Sequence, residues 1–118
     1  IQLLGRLDFI AHRANFLMQP VLAQVDREAL THIRPNPSEV EETFLVPLSH
    51  LMEHPPQEFE YPLVPSPGAD FPYSLVGIPE NYPWRLGREN VPVYPWGEHP
   101  IWGLTARITR HLVGLLKK

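Results

Sequence analysis

The stretch that decides the fold is Ile-Trp-Gly-Leu-Thr-Ala-Arg-Ile at residues 101–108, which opens the last helical pattern of the chain. Apolar side chains recur from there at helical spacing, namely Leu104, Ile108, Leu112 and Leu115. Arg107 and Arg110 fall on the opposite side, where we expect them to be solvated. The pattern predicts a C-terminal helix that packs one apolar face on a sheet.

Upstream of this helix the pattern alternates between strands and turns. Residues 1–10 and 16–25 predict two strands paired as a hairpin, with an edge or bulge at Pro20 because proline cannot donate to a ladder. Residues 26–37 leave room for a short helical turn, and residues 39–45 fit a strand or a frayed helical turn equally well. Pro47 favours the first turn of a helix that runs to His54.

The central third of the chain is rich in proline. Of the 15 prolines, most lie between Pro55 and Pro100. We expect strands over residues 59–64, 71–76 and 91–96, with an exposed loop over residues 77–90. The elements together predict an α+β domain spanning residues 1–118.

Composition excludes several functional classes. The formal net charge is −3 and no basic run occurs beyond the last two lysines, which argues against nucleic-acid binding through a charged surface. The chain has no cysteine, so disulfides and thiolate metal sites are excluded. No apolar run reaches the length of a membrane span. The chain begins with Ile1 in the middle of a pattern, and we expect further sequence upstream of it.

A second motif occurs at residues 36–48, Asn-Pro-Ser-Glu-Val-Glu-Glu-Thr-Phe-Leu-Val-Pro-Leu. Together with residues 101–108 it resembles the C-terminal half of Nudix hydrolases of the coenzyme A diphosphatase group. The resemblance covers about residues 1–54 and 91–116, and a proline-rich insertion at about 58–90 departs from it. It implies the second half of a Nudix α/β/α sandwich, with a mixed sheet, a hairpin, a short Pro-Leu helix and a closing helix.

The Nudix box, the helix that binds metal in this family, is not found in the sequence. Residues 39–42 superficially resemble its end, but Ser38 stands where the arginine belongs and no glycine follows Thr43. The resemblance implies hydrolysis of coenzyme A or acyl-CoA to 3′,5′-ADP and phosphopantetheine with Mg²⁺ or Mn²⁺. That activity and those metals are expected only of the intact family enzyme, so whether this chain is itself an enzyme stays open.

Several residues are candidates for roles in such an enzyme. The resemblance makes Glu39 the first choice for a loop acid that serves as metal ligand or general base, with Glu42 second. Arg13, Arg6 and Arg34 are candidates for binding the phosphates of a coenzyme A-type nucleotide. For the structural motif of Trp102, Gly103 and Thr105 we expect the tryptophan to pack in the core. The spacing of His50 and His54 allows a shared metal, but no third ligand accompanies them, so no metal site is assigned.

Other functional classes remain open beside the diphosphatase. The chain fits a catalytically inactive, Nudix-derived structural subunit docked in a larger, mitochondrial assembly, and it also fits a self-sufficient α+β binding module. The first two interpretations expect the missing N-terminal half, or another chain, to complete the sheet. The resemblance favours a mitochondrial or peroxisomal location.

Overall fold

Two short antiparallel ribbons begin the fold in the computed structural model, which describes residues 1–12 and 14–118. Strand β1 (Gln2–Arg6) pairs with β4 (Val21–Gln24), and β2 (Ile10–His12) pairs with β3 (Phe16–Met18). The predicted hairpin is therefore confirmed, but each long strand is broken in two. The break lies at Pro20, whose carbonyl accepts a hydrogen bond of 2.9 Å from the Leu7 amide, because proline has no N–H to extend the ladder.

The middle of the chain is mostly irregular. A 3₁₀ helix at Arg27–His32 confirms the short helical turn. Residues 39–45, left open between strand and helix, form neither. The Pro-Leu helix is confirmed as α1 (Leu48–Glu53), with Pro47 at its N-cap. Just before residues 39–45, the Ser38 hydroxyl donates a hydrogen bond of 2.8 Å to the side-chain oxygen of Asn36.

A three-stranded antiparallel sheet forms the second half of the fold. Its order is β5 (Gln57–Leu63), β6 (Gly87–Tyr94) and β7 (Ile101–Trp102). The predicted strands at 59–64 and 91–96 overlap β5 and β6, which begin earlier and end at Leu63 and Tyr94. The loop predicted over residues 77–90 is wrong at its end, because residues 87–90 continue β6. The backbone ladder with β5 runs on to Gly87, and along it Arg88 forms an exposed ion pair of 2.9 Å with Glu60 on the neighbouring strand.

The strand predicted over residues 71–76 is also wrong, because Tyr73–Val76 forms a short helix, α2. Gly77 follows it with φ of 75° and its amide donates back to Ser74, so a left-handed glycine closes the helical turn. Three aromatic rings, Phe71, Tyr73 and Trp84, make edge contacts beside α2. These ring contacts, and not strand pairing, hold this part of the proline-rich segment together.

Helix α3 (Gly103–Leu116) packs on β6 and β7 and confirms the C-terminal helix. Its buried residues are Ala106 and Val113, seven residues or two turns apart. The leucines predicted to form the buried face are only partly covered, and Leu115 remains 42% exposed. The buried side of α3, marked by Ala106 and Val113, is therefore centred about half a turn around the helix from the predicted side.

The expected mixed sheet is not formed by the described residues, whose strands pair only in antiparallel fashion in three separate small sheets. The chain reverses direction between the strands of each pair, whereas parallel pairing would need a crossover connection. The fold is thus α+β, with small sheets and a C-terminal helix. Among the described residues, no helix combines the length and apolar character that a membrane crossing requires.

Candidate functional site

A cavity of about 290 Å³ lies beside the start of α3, and we call it the α3 cleft. Its walls come from the β2 strand, from the β5–β6 pair and from the first turn and a half of the helix. Its lining residues include His12, Tyr61, Asn90, Trp102, Gly103 and Arg107. The cleft therefore contains part of the motif at residues 101–108 that was singled out in the sequence.

Trp102 stands at the edge of this cleft with its side chain 64% exposed, so the expectation that it packs in the core is wrong. Strand pairing explains the difference. Ile101 lies opposite Tyr94 in the β6–β7 ladder and Trp102 lies opposite Val93. Because neighbouring strand residues point to opposite faces, Trp102 points away from the face on which Tyr94 is covered by α3.

Gly103 sets the direction in which the helix leaves Trp102. Its φ of 65° lies in the left-handed region, where a side chain is strained, although a Cβ there would meet no atom within 4 Å. The constraint on this glycine is therefore conformational rather than spatial. Thr105, the third residue of the motif, is exposed, and its carbonyl accepts a hydrogen bond from the Thr109 hydroxyl.

Trp102 is bounded by cavities on two sides. On the side away from the α3 cleft it shares a shallow cavity of about 270 Å³ with Phe44 and Thr105. Phe44 stacks on His99 with ring centroids 4.7 Å apart. An exposed indole between two cavities can stack against a planar ring, since aromatic faces favour such contacts.

Three arginines line a cleft of about 280 Å³ that adjoins the first. Arg107 and Arg110, which were expected to be solvated, are only partly exposed and contact glutamates. Arg107 is 29% exposed and its guanidinium lies 3.7 Å from the Glu89 carboxylate. Arg88 and Arg110 make shorter contacts of 2.9 Å and 2.8 Å with their own glutamates. A separation of 3.7 Å exceeds hydrogen-bond range, so Arg107 is the arginine of the three held least tightly by its glutamate contact.

Arg110 is the centre of a polar network that joins α3 to the sheet. One of its guanidinium nitrogens donates to both carboxylate oxygens of Glu58 and to the side-chain oxygen of Asn90, each at 2.8 Å. The Asn90 amide donates to Glu58 at 3.0 Å. Hydrogen bonds from Arg110, and then from Asn90, hold the pKa of Glu58 below its ordinary value of 4.5.

This lowered pKa predicts an acid-sensitive contribution to stability. A carboxylate whose pKa is depressed in the folded state stabilises the fold above its unfolded pKa, and that stabilisation is lost as pH falls through the folded pKa. In Glu58→Gln we expect the free energy of unfolding to fall less steeply than in the parent protein as the pH drops below about 4.5. The difference should be less than ~1 kcal/mol, because the carboxylate is 45% exposed. Urea unfolding curves at a series of acidic pH values measure it.

The control for this prediction is Glu53→Gln at the end of α1, because Glu53 is exposed and forms no ion pair within the described residues. It should leave the acid decline as in the parent protein. An unchanged decline in Glu58→Gln would mean that the Arg110 contact does not stabilise the folded state.

Comparisons with known proteins agree with the sequence motifs. The chain is 33% identical over 112 residues to "Mitochondrial coenzyme A diphosphatase NUDT8" of Mus musculus, which covers 95% of this chain. It is 35% identical over 97 residues to the Homo sapiens protein of the same name, which covers 82% of this chain. The chain is related to this Nudix group. It spans 44% and 33% of the length of these two relatives.

No protein-family model matches the chain. No solved structure matches it significantly either. The relationship to the Nudix group therefore depends on the two curated relatives and on the motifs quoted above.

The acidic residues suggested by the Nudix resemblance lie apart from the α3 cleft. Glu39 is exposed in a turn after Asn36. Glu42 is also exposed, and its carboxylate lies 3.3 Å from His99 Nδ1, on the side of Trp102 that faces Phe44. Glu42 thus contacts His99, which stacks on Phe44, and Phe44 lines the same cavity as Trp102. The roles of both acids stay predictions.

Two of the predicted phosphate-binding arginines, Arg6 and Arg34, do not share a described cavity. Arg6 is exposed on β1 and Arg34 is exposed after the 3₁₀ helix, and neither lines a described cavity. Arg13 lies outside the described residues. Arg107, which belongs to the motif at residues 101–108, lines the α3 cleft but was not among the arginines predicted from the sequence.

The described residues do not fit a divalent-metal site. Within residues 1–12 and 14–118, no three histidine, aspartate or glutamate side chains converge on a point that could hold an ion. His50 and His54 stack on one another at 4.3 Å, and His54 Nδ1 lies 3.0 Å from the His50 carbonyl. We therefore assign no metal-dependent step to these residues.

Proposed function

We propose that this chain forms the C-terminal, nucleotide-binding part of a Nudix hydrolase that cleaves the diphosphate of coenzyme A or acyl-CoA. The observation that carries the proposal is the similarity to two relatives named coenzyme A diphosphatase over most of this chain. Water adds across the P–O–P linkage of the substrate, giving 3′,5′-ADP and phosphopantetheine.

The chemistry of the α3 cleft supports a nucleotide. Trp102 and Tyr61 offer exposed aromatic surface for a planar base, and Arg107 offers a guanidinium for a phosphate in the same cavity. These residues bind and orient the ligand. Mg²⁺ or Mn²⁺ would supply charge neutralisation at the diphosphate in the intact enzyme, with ligands from a Nudix box that this sequence does not contain.

The test compares the product of the complete gene with the 118-residue chain. Each protein is incubated with coenzyme A and with Mg²⁺ or Mn²⁺, and the products are identified by mass spectrometry. We expect 3′,5′-ADP and phosphopantetheine from the complete product and none from the 118-residue chain. Turnover by the 118-residue chain alone would contradict the proposal that this chain binds the nucleotide while a Nudix box outside it supplies the metal ligands.

Absence of turnover in the folded, complete product would instead favour a catalytically inactive structural subunit. Large apolar side chains on the surface, such as Leu3 and Leu75, make this the second candidate, because such surface is commonly covered in an assembly. Purification of the complete product in a stable complex, without hydrolysis of coenzyme A, would support it.

We also propose a mitochondrial location, which the printed names of both relatives support. Fractionation of cells that produce the complete gene product should recover it with mitochondrial markers. Recovery with peroxisomal or cytosolic markers instead would contradict this part of the proposal.

A further inference from the structure

The two clefts beside α3 meet along a shared wall. Glu89, Asn90 and Arg107 line both the α3 cleft and the cleft of about 280 Å³ that adjoins it. We call the second one the arginine cleft, because it is lined by Arg88, Arg107 and Arg110. A ligand that occupies the α3 cleft can therefore extend a second group into the arginine cleft.

The lining of the arginine cleft carries an excess of positive charge. Three of its lining residues are arginines, and Glu89 is the one acidic residue among them. The glutamates that pair with Arg88 and Arg110 lie on β5 and do not line the cleft. An anion placed there would adjoin guanidinium groups and a single carboxylate, so the cleft suits a small anionic group.

The arginines of this cleft keep hydrogen-bond donors that their glutamate contacts do not use. Arg88 donates to its glutamate through Nη1, and the hydrogen bonds of Arg110 within the polar network also leave from Nη1. A guanidinium has five N–H donors on three nitrogens. Each of these two arginines therefore keeps donors on Nε and Nη2, and phosphate oxygens match such paired donors.

Glu89 lines both clefts and offers the opposite chemistry. Its side chain is 17% exposed, and its carboxylate lies 3.7 Å from the Arg107 guanidinium. A carboxylate repels a phosphate, but it accepts a hydrogen bond from a hydroxyl, as acidic residues do from ribose hydroxyls at dinucleotide sites. The junction of the two clefts therefore suits a sugar hydroxyl that is next to a phosphate.

We propose that the arginine cleft binds the phosphate on the ribose 3′ carbon of a nucleotide whose base lies in the α3 cleft. Glu89 accepts a hydrogen bond from the neighbouring 2′-hydroxyl, and Arg88 and Arg110 donate to the 3′-phosphate. The inference rests on the proposed function, which places a coenzyme A-type nucleotide in the α3 cleft. It adds the residues that select a ribonucleotide 3′-phosphate over nucleotides that lack this phosphate or carry it on the 2′ carbon.

Adenine nucleotides that differ only at the ribose test this selection. Isothermal titration calorimetry at fixed salt, without divalent metal, measures their binding to the complete gene product. We expect adenosine 2′,5′-bisphosphate and 5′-AMP each to bind about tenfold or more weakly than 3′,5′-ADP, because both lack the charge-assisted hydrogen bonds at the 3′ position. The 2′,5′ isomer has the same charge as 3′,5′-ADP, so equal affinity for these two compounds would overturn the proposal.

The role of Glu89 is tested with 2′-deoxyadenosine 3′,5′-bisphosphate, which lacks only the 2′-hydroxyl. It should bind about three- to tenfold more weakly than 3′,5′-ADP. Glu89→Ala should remove this difference whatever its effect on overall affinity, because both ligands are measured on the same variant, whose folding a thermal melt verifies. A difference that persists in Glu89→Ala would contradict the assignment of the 2′-hydroxyl to Glu89.

Arg88→Gln tests the arginine cleft at a side chain that is 70% exposed, so the fold should tolerate the change. It should weaken binding of 3′,5′-ADP by about three- to tenfold and change binding of 5′-AMP by less than about twofold. Arg85→Gln removes the same charge outside the described cavities and should change neither affinity. An equal loss for both nucleotides in Arg88→Gln, or no loss for either, would overturn the assignment of the 3′-phosphate to this cleft.

Hydrolysis of coenzyme A by the complete gene product separates this inference from the proposed function. Hydrolysis together with equal binding of the two bisphosphates would overturn only the inference. Selective binding of 3′,5′-ADP without hydrolysis would support the inference and contradict the diphosphatase activity. Absence of both hydrolysis and nucleotide binding would overturn both.

Discussion

Replacing Arg107 with glutamine is expected to weaken binding of 3′,5′-ADP to the complete gene product by roughly 10- to 100-fold. Arg107 lines both the α3 cleft and the adjoining cleft of three arginines. A charge-assisted hydrogen bond to phosphate contributes about 1.5–3 kcal/mol, and about 1.4 kcal/mol corresponds to a factor of ten. Isothermal titration calorimetry at fixed salt measures the change, because ionic strength screens such contacts.

The matched control is Arg85→Gln. Arg85 is exposed in the segment before β6 and lines none of the described cavities. It removes the same charge from the protein, so it corrects for any general effect of net charge on binding of an anion. If both variants bind 3′,5′-ADP as the parent does, Arg107 does not contact the phosphate and the α3 cleft is not the nucleotide site.

Ala106→Leu is expected to lower the free energy of unfolding by about 1–3 kcal/mol, the usual range for inserting methylene groups into a packed site. Ala106 is fully buried on α3, the helix that packs on β6 and β7. Pro92 and Tyr94 on β6 are also buried, so little space is available for a larger side chain. Urea unfolding at neutral pH, followed by circular dichroism, measures the midpoint and slope.

Thr105→Leu serves as the control for this change. It adds a leucine at the preceding, exposed position of the same helix. Its effect on unfolding free energy should stay within about 0.5 kcal/mol, as for ordinary surface substitutions. Equal stability of the two variants would mean that α3 does not pack on the sheet through Ala106.

Elements with a strong local signal were predictable from the sequence. Helix α3 was predicted because its apolar residues repeat over three turns, and α1 because Pro47 and Pro55 bound it. The segment at Tyr73–Val76 was misread as a strand, because four residues, three of them apolar or aromatic, are too few to show a periodicity that separates strand from helix. The feature that fits a helix here is Gly77, whose left-handed backbone closes the helical turn.

The site depended on contacts that local patterns do not contain. Glu58, Asn90 and Arg110 are joined by hydrogen bonds although 32 and 52 residues separate Glu58 from the other two. The prediction that Arg110 is solvated followed from its place on the polar side of the helix. That side faces the charged end of the β5–β6 pair, which could be known only from the arrangement of the strands.

The left-handed conformation of Gly103 has a consequence for how this site can evolve. Almost any other residue there would strain the backbone, so single substitutions at Gly103 cannot gradually change the direction of the Trp102 ring. Changes of ligand preference could arise instead through side chains that line the same cleft, such as Tyr61 and His12. Among relatives of this chain, amino-acid differences should accordingly accumulate around the indole, while the glycine at position 103 is retained.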